Sequence, residues 1–134
     1  MTRYLLDTNI VSDLVRNPHG LVAAYIRRVG ESRVATSIIV AAELRYGADK
    51  KRSPRLTSQL KAVLGALEVL PWEAPADEFY GRIRAELEAL GKPIGSNDLL
   101  IAAQAMSLGH TLVTGNTREF GRVRGLNVEN WLRT

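Results

Sequence analysis

Three acidic residues stand inside or beside apolar segments of the chain, where a solvated charge is not expected. Asp7 ends the apolar run YLL, Glu43 interrupts the segment IIVAAEL, and Asp98 opens the segment DLLIAAQA. Carboxylates are rarely buried without a partner, and three at one edge of a sheet would raise at least one pKa by mutual repulsion. A bound cation would relieve that repulsion. Because the chain has no Cys and only two His, the all-oxygen donor set favours Mg²⁺ or Mn²⁺ over zinc.

A metal ion held by carboxylates can lower the pKa of a bound water and neutralise charge on a phosphodiester during displacement. The residue types therefore predict metal-assisted hydrolysis of nucleic acid. Each acid also has a structural explanation of its own. Asp98 suits a helix N-terminus, Glu43 suits a solvated helix position, and Asp7 suits an N-cap, although Thr8 and Asn9 can also cap that helix. The coincidence of three separate segments favours a shared site.

The composition predicts one soluble globular domain over residues 1–134. Hydrophobic residues make up 46% and charged residues 24% of the chain, which is typical of a folded domain. The net charge is +4, with 14 Arg and 4 Lys, and an Arg-rich surface is compatible with binding to nucleic acid. The lack of Cys excludes disulfides and thiolate metal sites. No apolar run is long enough to span a membrane and no signal peptide is evident, so we expect a cytoplasmic protein with no membrane partner.

The hydrophobic pattern predicts strands that alternate with helices. Strands are expected at residues 3–7, 33–36, 67–70 and 110–114, with a last short strand within 126–131. We expect Ser37 to cap a helix that ends near Gly47, and Asp98 to lie at or near the start of another helix. Such alternation is typical of a parallel α/β sheet, in which ligands bind beyond the carboxyl ends of the strands. Asp7 and the residues after Thr114 should then be neighbours.

The remaining polar motifs carry weaker signals. His19 and His110 lie in turn-like surroundings and are expected to be structural, and there is no Walker loop, GxGxxG fingerprint or zinc-ligand spacing. The basic run Lys50–Arg52, with Arg55, is typical of a solvated loop and becomes a candidate phosphate track only beside a nuclease site. The two tryptophans, Trp72 and Trp131, suit a core or an interface better than a base-stacking platform.

Four segments together resemble a known family. They are LLDTNIVSDL, SIIVAAELRYGA, GKPIGSNDLLIAAQA and LVTGNTREFGRVRGLNVENW, and in this order they are similar to the VapC toxins of type II toxin-antitoxin systems, which are PIN-domain ribonucleases. The resemblance implies an α/β/α sandwich with a short central parallel sheet. It also implies a Mg²⁺-dependent endoribonuclease, with Mn²⁺ able to substitute for Mg²⁺. It also implies an RNA substrate. Transfer RNA is favoured, but other members of the family cut ribosomal RNA, so the motifs leave the target open. The resemblance further implies a homodimer and a VapB-type antitoxin that neutralises the toxin and through which alone operator DNA is bound.

The resemblance also assigns roles to individual residues. It places the metal ligands at Asp7, Asp98 and Glu43, and all three are implied to be catalytic. The family often has a fourth acid after the strand TLVT, but this chain has Asn116 there, with Glu119 three residues further on. Both are candidates for the fourth catalytic position. Asn9 and Thr114 resemble positions that form hydrogen bonds to the acids.

Two other functions fit parts of the pattern. The apolar strand that ends in LLDTN is also found in haloacid-dehalogenase-type phosphatases, but these need a second Asp at the position of Asn9. The missing fourth acid is also compatible with an inactive binding module that keeps the fold. The ribonuclease is the favoured function.

Overall fold

The computed structural model describes residues 1–133, and the predicted domain boundary at residue 134 lies just outside the described residues. The central sheet contains β1 (Tyr4–Leu6), β2 (Val34–Ser37), β3 (Glu68–Leu70), β4 (Thr111–Val113) and β5 (Val128–Glu129). Their order is β3-β2-β1-β4-β5, and every neighbouring pair is parallel. This arrangement confirms the predicted parallel α/β sheet.

Seven α-helices surround the sheet in the described part of the chain. They are α1 (Thr8–Arg16), α2 (Leu21–Val29), α3 (Ile38–Lys51), α4 (Pro54–Ala66), α5 (Ala76–Ala89), α6 (Ser96–Leu108) and α7 (Thr117–Phe120). Helix α1 packs against α2, α3 and α4, helix α3 packs against α4, and α5 packs against α6. Strands β1, β2 and β4 are buried along their whole length, as expected when helices cover both faces of a parallel sheet.

The helix boundaries differ from the predictions in two places, and the structure decides between alternative caps in a third. Asp7 caps α1, rather than Thr8 or Asn9, and its side chain accepts a hydrogen bond from the Thr8 backbone N–H. Helix α3 continues through Gly47 to Lys51, because a single glycine weakens a helix without ending it. The short helix α7 was not predicted, since four residues are too few to show a period. The predicted cap of α3 at Ser37 is confirmed.

The chain end is anchored in the core by an aromatic cluster. Trp131 is 1% exposed and stacks on Tyr25, with 5.2 Å between ring centroids. It also packs at a tilt against Tyr4 in β1, and its indole N–H donates to Glu129. The expectation that Trp131 belongs to the core is confirmed.

Among residues 1–133, no helix combines the length and the hydropathy that a membrane crossing requires.

Candidate active site

The sheet brings the ends of β1 and β4 together. Leu6 of β1 is in register with Val113 of β4, and the backbone N–H of Asp7 donates to the Val113 carbonyl at 2.9 Å. Asp7 and Thr114 therefore leave the sheet side by side at its carboxyl edge. The strand order also reverses between β1 and β4, and such a switch point is where open α/β sheets place their ligands.

Asp7 is held in one orientation by two hydrogen bonds. The carboxylate is 5% exposed, Oδ1 accepts from the Thr8 backbone N–H at 2.7 Å, and Oδ2 accepts from the Thr114 hydroxyl at 2.7 Å. Burial raises the pKa of Asp7, and the hydrogen bonds from Thr114 and Thr8 oppose that rise. The contact expected of Thr114 is present. In addition, the Thr114 oxygen accepts from the Asn116 backbone N–H at 3.0 Å.

Glu43 reaches the same edge from α3. It is half-buried, and its Oε1 accepts from the Thr8 hydroxyl at 3.3 Å. Thr8 thus binds Asp7 through its backbone and Glu43 through its side chain. Sequence reasoning missed this role and considered Thr8 only as a cap. The available signal was its position directly after Asp7, at the first residue of the helix.

Asp98 and Glu119 form the other half of the acidic cluster. Burial is the largest cause that raises the pKa of Asp98, to about 7. A hydrogen bond shared with Glu119 and repulsion from Asp7, Glu119 and Glu43 add to the rise. The amide N–H of Asn116 donates to Glu119 Oε2 at 2.9 Å. Helix α7 therefore carries a fourth acid into the cluster at Glu119, and Asn116 orients it.

Asn9 differs from the expectation that it would bind the acids. Its Oδ1 accepts from the Gly115 backbone N–H at 3.2 Å, and no hydrogen bond from Asn9 to a carboxylate occurs within residues 1–133. A Cβ at position 115 would lie 2.9 Å from Asn9 Nδ2 and 2.8 Å from Leu132 Cδ1. Gly115 thus allows β4, α1 and the C-terminal segment to approach closely, which sequence reasoning did not detect.

The donor set fits a hard divalent cation. Four carboxylates and one amide meet at one edge. Burial first, and then repulsion from the neighbouring acids, raises the pKa of Asp98, and a bound cation would offset that repulsion. In their present rotamers, however, no three His, Asp or Glu side chains among residues 1–133 are arranged as a set of metal ligands. Asp98 is paired with Glu119, whereas Asp7 and Glu43 are both bound to Thr8.

The other polar motifs lie away from this cluster. His110 precedes β4 at the opposite edge of the sheet, where burial lowers its pKa, and His19 is exposed between α1 and α2. The basic run is not wholly a loop, since Lys50 and Lys51 form the last turn of α3 and Arg52 caps it.

Comparison with known proteins shows the family. Residues 4–126 match the sequence profile of the PIN domain. Ribonuclease VapC2 of Rickettsia felis is 41% identical to this chain over 130 residues, which cover 96% of this chain and 97% of that protein. The tRNA(fMet)-specific endonuclease VapC of Shigella flexneri is 37% identical, over 98% of this chain and 99% of its own.

Solved structures agree with the sequence relatives. The VapBC2 complex from Rickettsia felis, bound to a promoter DNA fragment, contains a chain that superposes with a TM-score of 0.90 at 38% identity, over 97% of this chain and 99% of that chain. A chain of the DNA-bound VapBC complex from Salmonella typhimurium gives a TM-score of 0.86 at 36% identity, over 98% and 99% of the two chains. The parallel sheet, the matched profile and this near-complete coverage agree: the chain belongs to the PIN-domain family, among the VapC ribonucleases.

Proposed function

We propose that this chain is the toxin of a VapBC-type toxin-antitoxin pair and acts as a Mg²⁺-dependent endoribonuclease, with Mn²⁺ able to substitute. The observation that carries the proposal is the meeting of Asp7, Glu43, Asp98 and Glu119, from four separate segments, at the carboxyl edge of a parallel sheet. PIN-domain ribonucleases generally depend on divalent metal ions, and the all-oxygen donor set suits Mg²⁺.

The proposed metal ligands are Asp7 and Asp98, with Glu43 as a third. A divalent cation bound there would activate the attacking water and would neutralise charge on the phosphodiester. The protein's part is to hold the carboxylates in place. Thr114 and the Thr8 backbone orient Asp7, and Thr8 also orients Glu43.

The proposed fourth catalytic position combines Asn116 and Glu119. Asp98 shares a hydrogen bond with Glu119, and Asp98 must be deprotonated before it can act as a metal ligand. The Asn116 side-chain N–H donates to Glu119. The side-chain oxygen of Asn116 is available to orient the attacking water. The substitution of Asn for Asp at position 116 therefore leaves the site with four acids, because Glu119 lies one helical turn further on.

We propose tRNA as the substrate. This rests on the relatives from Shigella flexneri and Salmonella typhimurium, which are named tRNA(fMet)-specific endonucleases and are each 37% identical to this chain. The net charge of +4 suits a polyanionic substrate.

We propose that a VapB-type antitoxin neutralises the chain in the cytoplasm, and that operator DNA is bound only through that antitoxin. Support comes from the two similar VapBC complexes, both of which contain DNA. We further propose that residues 1–134 form one PIN domain and that the chain forms a homodimer.

The test is cleavage of end-labelled tRNA by the purified chain in Mg²⁺, Mn²⁺ or EDTA. We expect site-specific cleavage with either metal, no cleavage in EDTA, and a loss of at least about 10³-fold in Asp7→Asn. The matched control is Asp13→Asn, on the same helix but bonded only to Asn17, and it should cleave at the wild-type rate. Intact RNA in both metals would contradict the proposal and favour an inactive binding module. Full activity of Asp7→Asn would contradict the assignment of Asp7 to the metal site.

A further inference from the structure

A groove starts at one acid of the cluster, between α1 and α3, and α4 closes its far side. Its volume is about 190 Å³. It begins at Glu43 and passes Ser12 and Gly47, and its far end is lined by Arg16 and Lys51. The other half of its wall is apolar and consists of Val15, Leu44, Ala48, Leu56 and Leu60. The groove therefore joins Glu43 to two cations.

The sequence spacing explains why the groove has this polarity. Helices α1 and α3 both begin at the carboxyl edge of the sheet, directly after the neighbouring strands β1 and β2. Thr8 and Arg16 are eight residues apart on α1, and Glu43 and Lys51 have the same spacing on α3. Residues four apart share a helix face, so residues eight apart lie on the same side of the helix. Thr8 and Glu43 touch at the acidic end. Eight residues of helix rise about 12 Å, so the cations stand about 12 Å from the acids.

The two cations are available to an anionic ligand. Arg16 and Lys51 are exposed, and neither forms an ion pair with an acidic residue in the part of the chain that the structure describes. Both lie in the last turn of their helices, where a cation also offsets the helix dipole. Lys50 occupies the same last turn but does not line the groove, since it lies over the ring of Tyr46. The variant Lys50→Ala can therefore distinguish an effect on the helix dipole from the loss of a contact with the ligand.

Gly47 provides a second, independent observation. A glycine in the middle of a 14-residue helix weakens that helix relative to alanine. Packing does not require it, because a Cβ built at Gly47 meets no atom within 4 Å. Gly47 lines the groove, so a larger side chain at this position would enter it.

We propose that this groove binds the backbone of single-stranded RNA next to the cleaved bond, with Arg16 and Lys51 contacting a flanking phosphate. The occupant is argued from charge complementarity and from the continuity of the groove with the acidic cluster, and the inference rests on the proposed ribonuclease function. Cations that contact flanking phosphates hold the strand while the acids act on the phosphodiester between them.

The experiment measures binding and cleavage of a single-stranded RNA separately. Binding is followed by fluorescence anisotropy in EDTA, where no cleavage is expected, and cleavage is followed in Mg²⁺. We expect the double variant Arg16→Ala/Lys51→Ala to raise Kd and KM at least about tenfold while kcat changes little. The slope of log Kd against log salt should fall by about 0.7 for each phosphate that the variant no longer neutralises. The control Lys50→Ala should stay within about twofold of wild type.

Gly47→Leu fills the groove without removing a charge. A helix-forming residue in open space should leave Tm unchanged or raise it, and yet we expect Kd and KM to rise as in the double variant. A purely structural role for Gly47 cannot produce a protein that is more stable but binds RNA more weakly. Wild-type RNA binding by Gly47→Leu, or equal weakening by Lys50→Ala and the double variant, would overturn the proposal.

Two further outcomes separate the groove from the proposed function. If the chain binds RNA through the groove but never cleaves it, the ribonuclease proposal fails while the binding site stands. If cleavage and RNA binding are unaffected by the groove variants but inhibition by the antitoxin is lost, the groove is a protein-docking site and the RNA assignment is wrong.

Discussion

Thr114→Val removes the hydroxyl that holds the buried carboxylate of Asp7. The Thr114 side chain is fully buried, donates to Asp7 Oδ2 at 2.7 Å and accepts from the Asn116 backbone N–H at 3.0 Å. Valine has nearly the same shape, so packing is preserved and two hydrogen bonds are removed. The variant therefore measures the contribution of these bonds.

The expected loss of stability follows from the two hydrogen-bond partners of Thr114, the Asp7 carboxylate and the Asn116 backbone N–H. A hydrogen bond to a charged group contributes about 1.5–3 kcal/mol, and a partly buried N–H without an acceptor costs about 1 kcal/mol. We expect the free energy of unfolding to fall by about 2–4 kcal/mol near neutral pH. Thr114→Ser keeps the hydroxyl and should lose much less.

The loss should also depend on pH. The hydrogen bond favours the ionised carboxylate and opposes the burial that raises the pKa of Asp7. Without it the pKa of Asp7 rises further above its unfolded value. Because a folded-state acid with a raised pKa loses stability as the pH rises, the variant should lose more stability at pH 8 than at pH 5.

Urea denaturation in EDTA at the two pH values measures these differences, and calorimetric titration with Mn²⁺ measures the ligand role of Asp7. Loss of a group that orients a metal ligand typically weakens metal binding 10–100-fold. Equal destabilisation at pH 5 and pH 8, together with wild-type Mn²⁺ affinity, would refute this account of Thr114.

Three further changes test other parts of the structure. The metal-free protein should lose stability as the pH rises from about 4 to 8, because folding raises the pKa of Asp98 from its ordinary value of 3.8 to about 7. The full pKa shift corresponds to about 4 kcal/mol of unfolding free energy, which we reduce to about 1–2 kcal/mol because Asp98 is half-buried and screened by solvent. Asp98→Asn should flatten the pH dependence of the unfolding free energy in urea titrations. Thr8→Val removes the hydroxyl that donates to Glu43. The variant should lower kcat/KM about tenfold, with a change in Tm of a few degrees at most. An unchanged kcat/KM would show that Glu43 does not need this hydrogen bond. Trp131→Ala should lower the free energy of unfolding by about 3–5 kcal/mol, whereas the half-buried Trp72, changed to Ala, should cost less in the same measurement.

Much of the fold could be predicted because local patterns carried it. The run YLL before Asp7 indicated a strand buried on both faces, and Ser37 indicated a helix start that the structure confirms. The extension of α3 beyond Gly47 could not be predicted, because packing against α1 and α4 outweighs the weak propensity of one glycine. Helix α7 was missed because its four residues show no period.

The candidate site was predictable in its members but not in its contacts. The position of Asp7, Glu43 and Asp98 within apolar segments identified them as unusual acids. The sequence left Asn116 and Glu119 as two candidates for a fourth position, and only the tertiary structure shows that the Glu119 carboxyl reaches Asp98. Asn9 was expected to bind an acid but accepts a hydrogen bond from the Gly115 backbone, because its side chain reaches from α1 to the segment that follows β4.

The sequence by itself determined the kinds of group at the site and the strands that deliver them, because residue type and hydrophobic period are local properties. It also carried the family resemblance, since four motifs agree in order along the chain. Only the tertiary structure decided which groups touch. The pairing of β1 with β4 places Thr114 on Asp7, and the packing of α1 beside α3 places Thr8 on Glu43 and opens the groove towards Arg16 and Lys51. These contacts join residues 35 and 107 positions apart, and no local pattern specifies which distant side chains will meet.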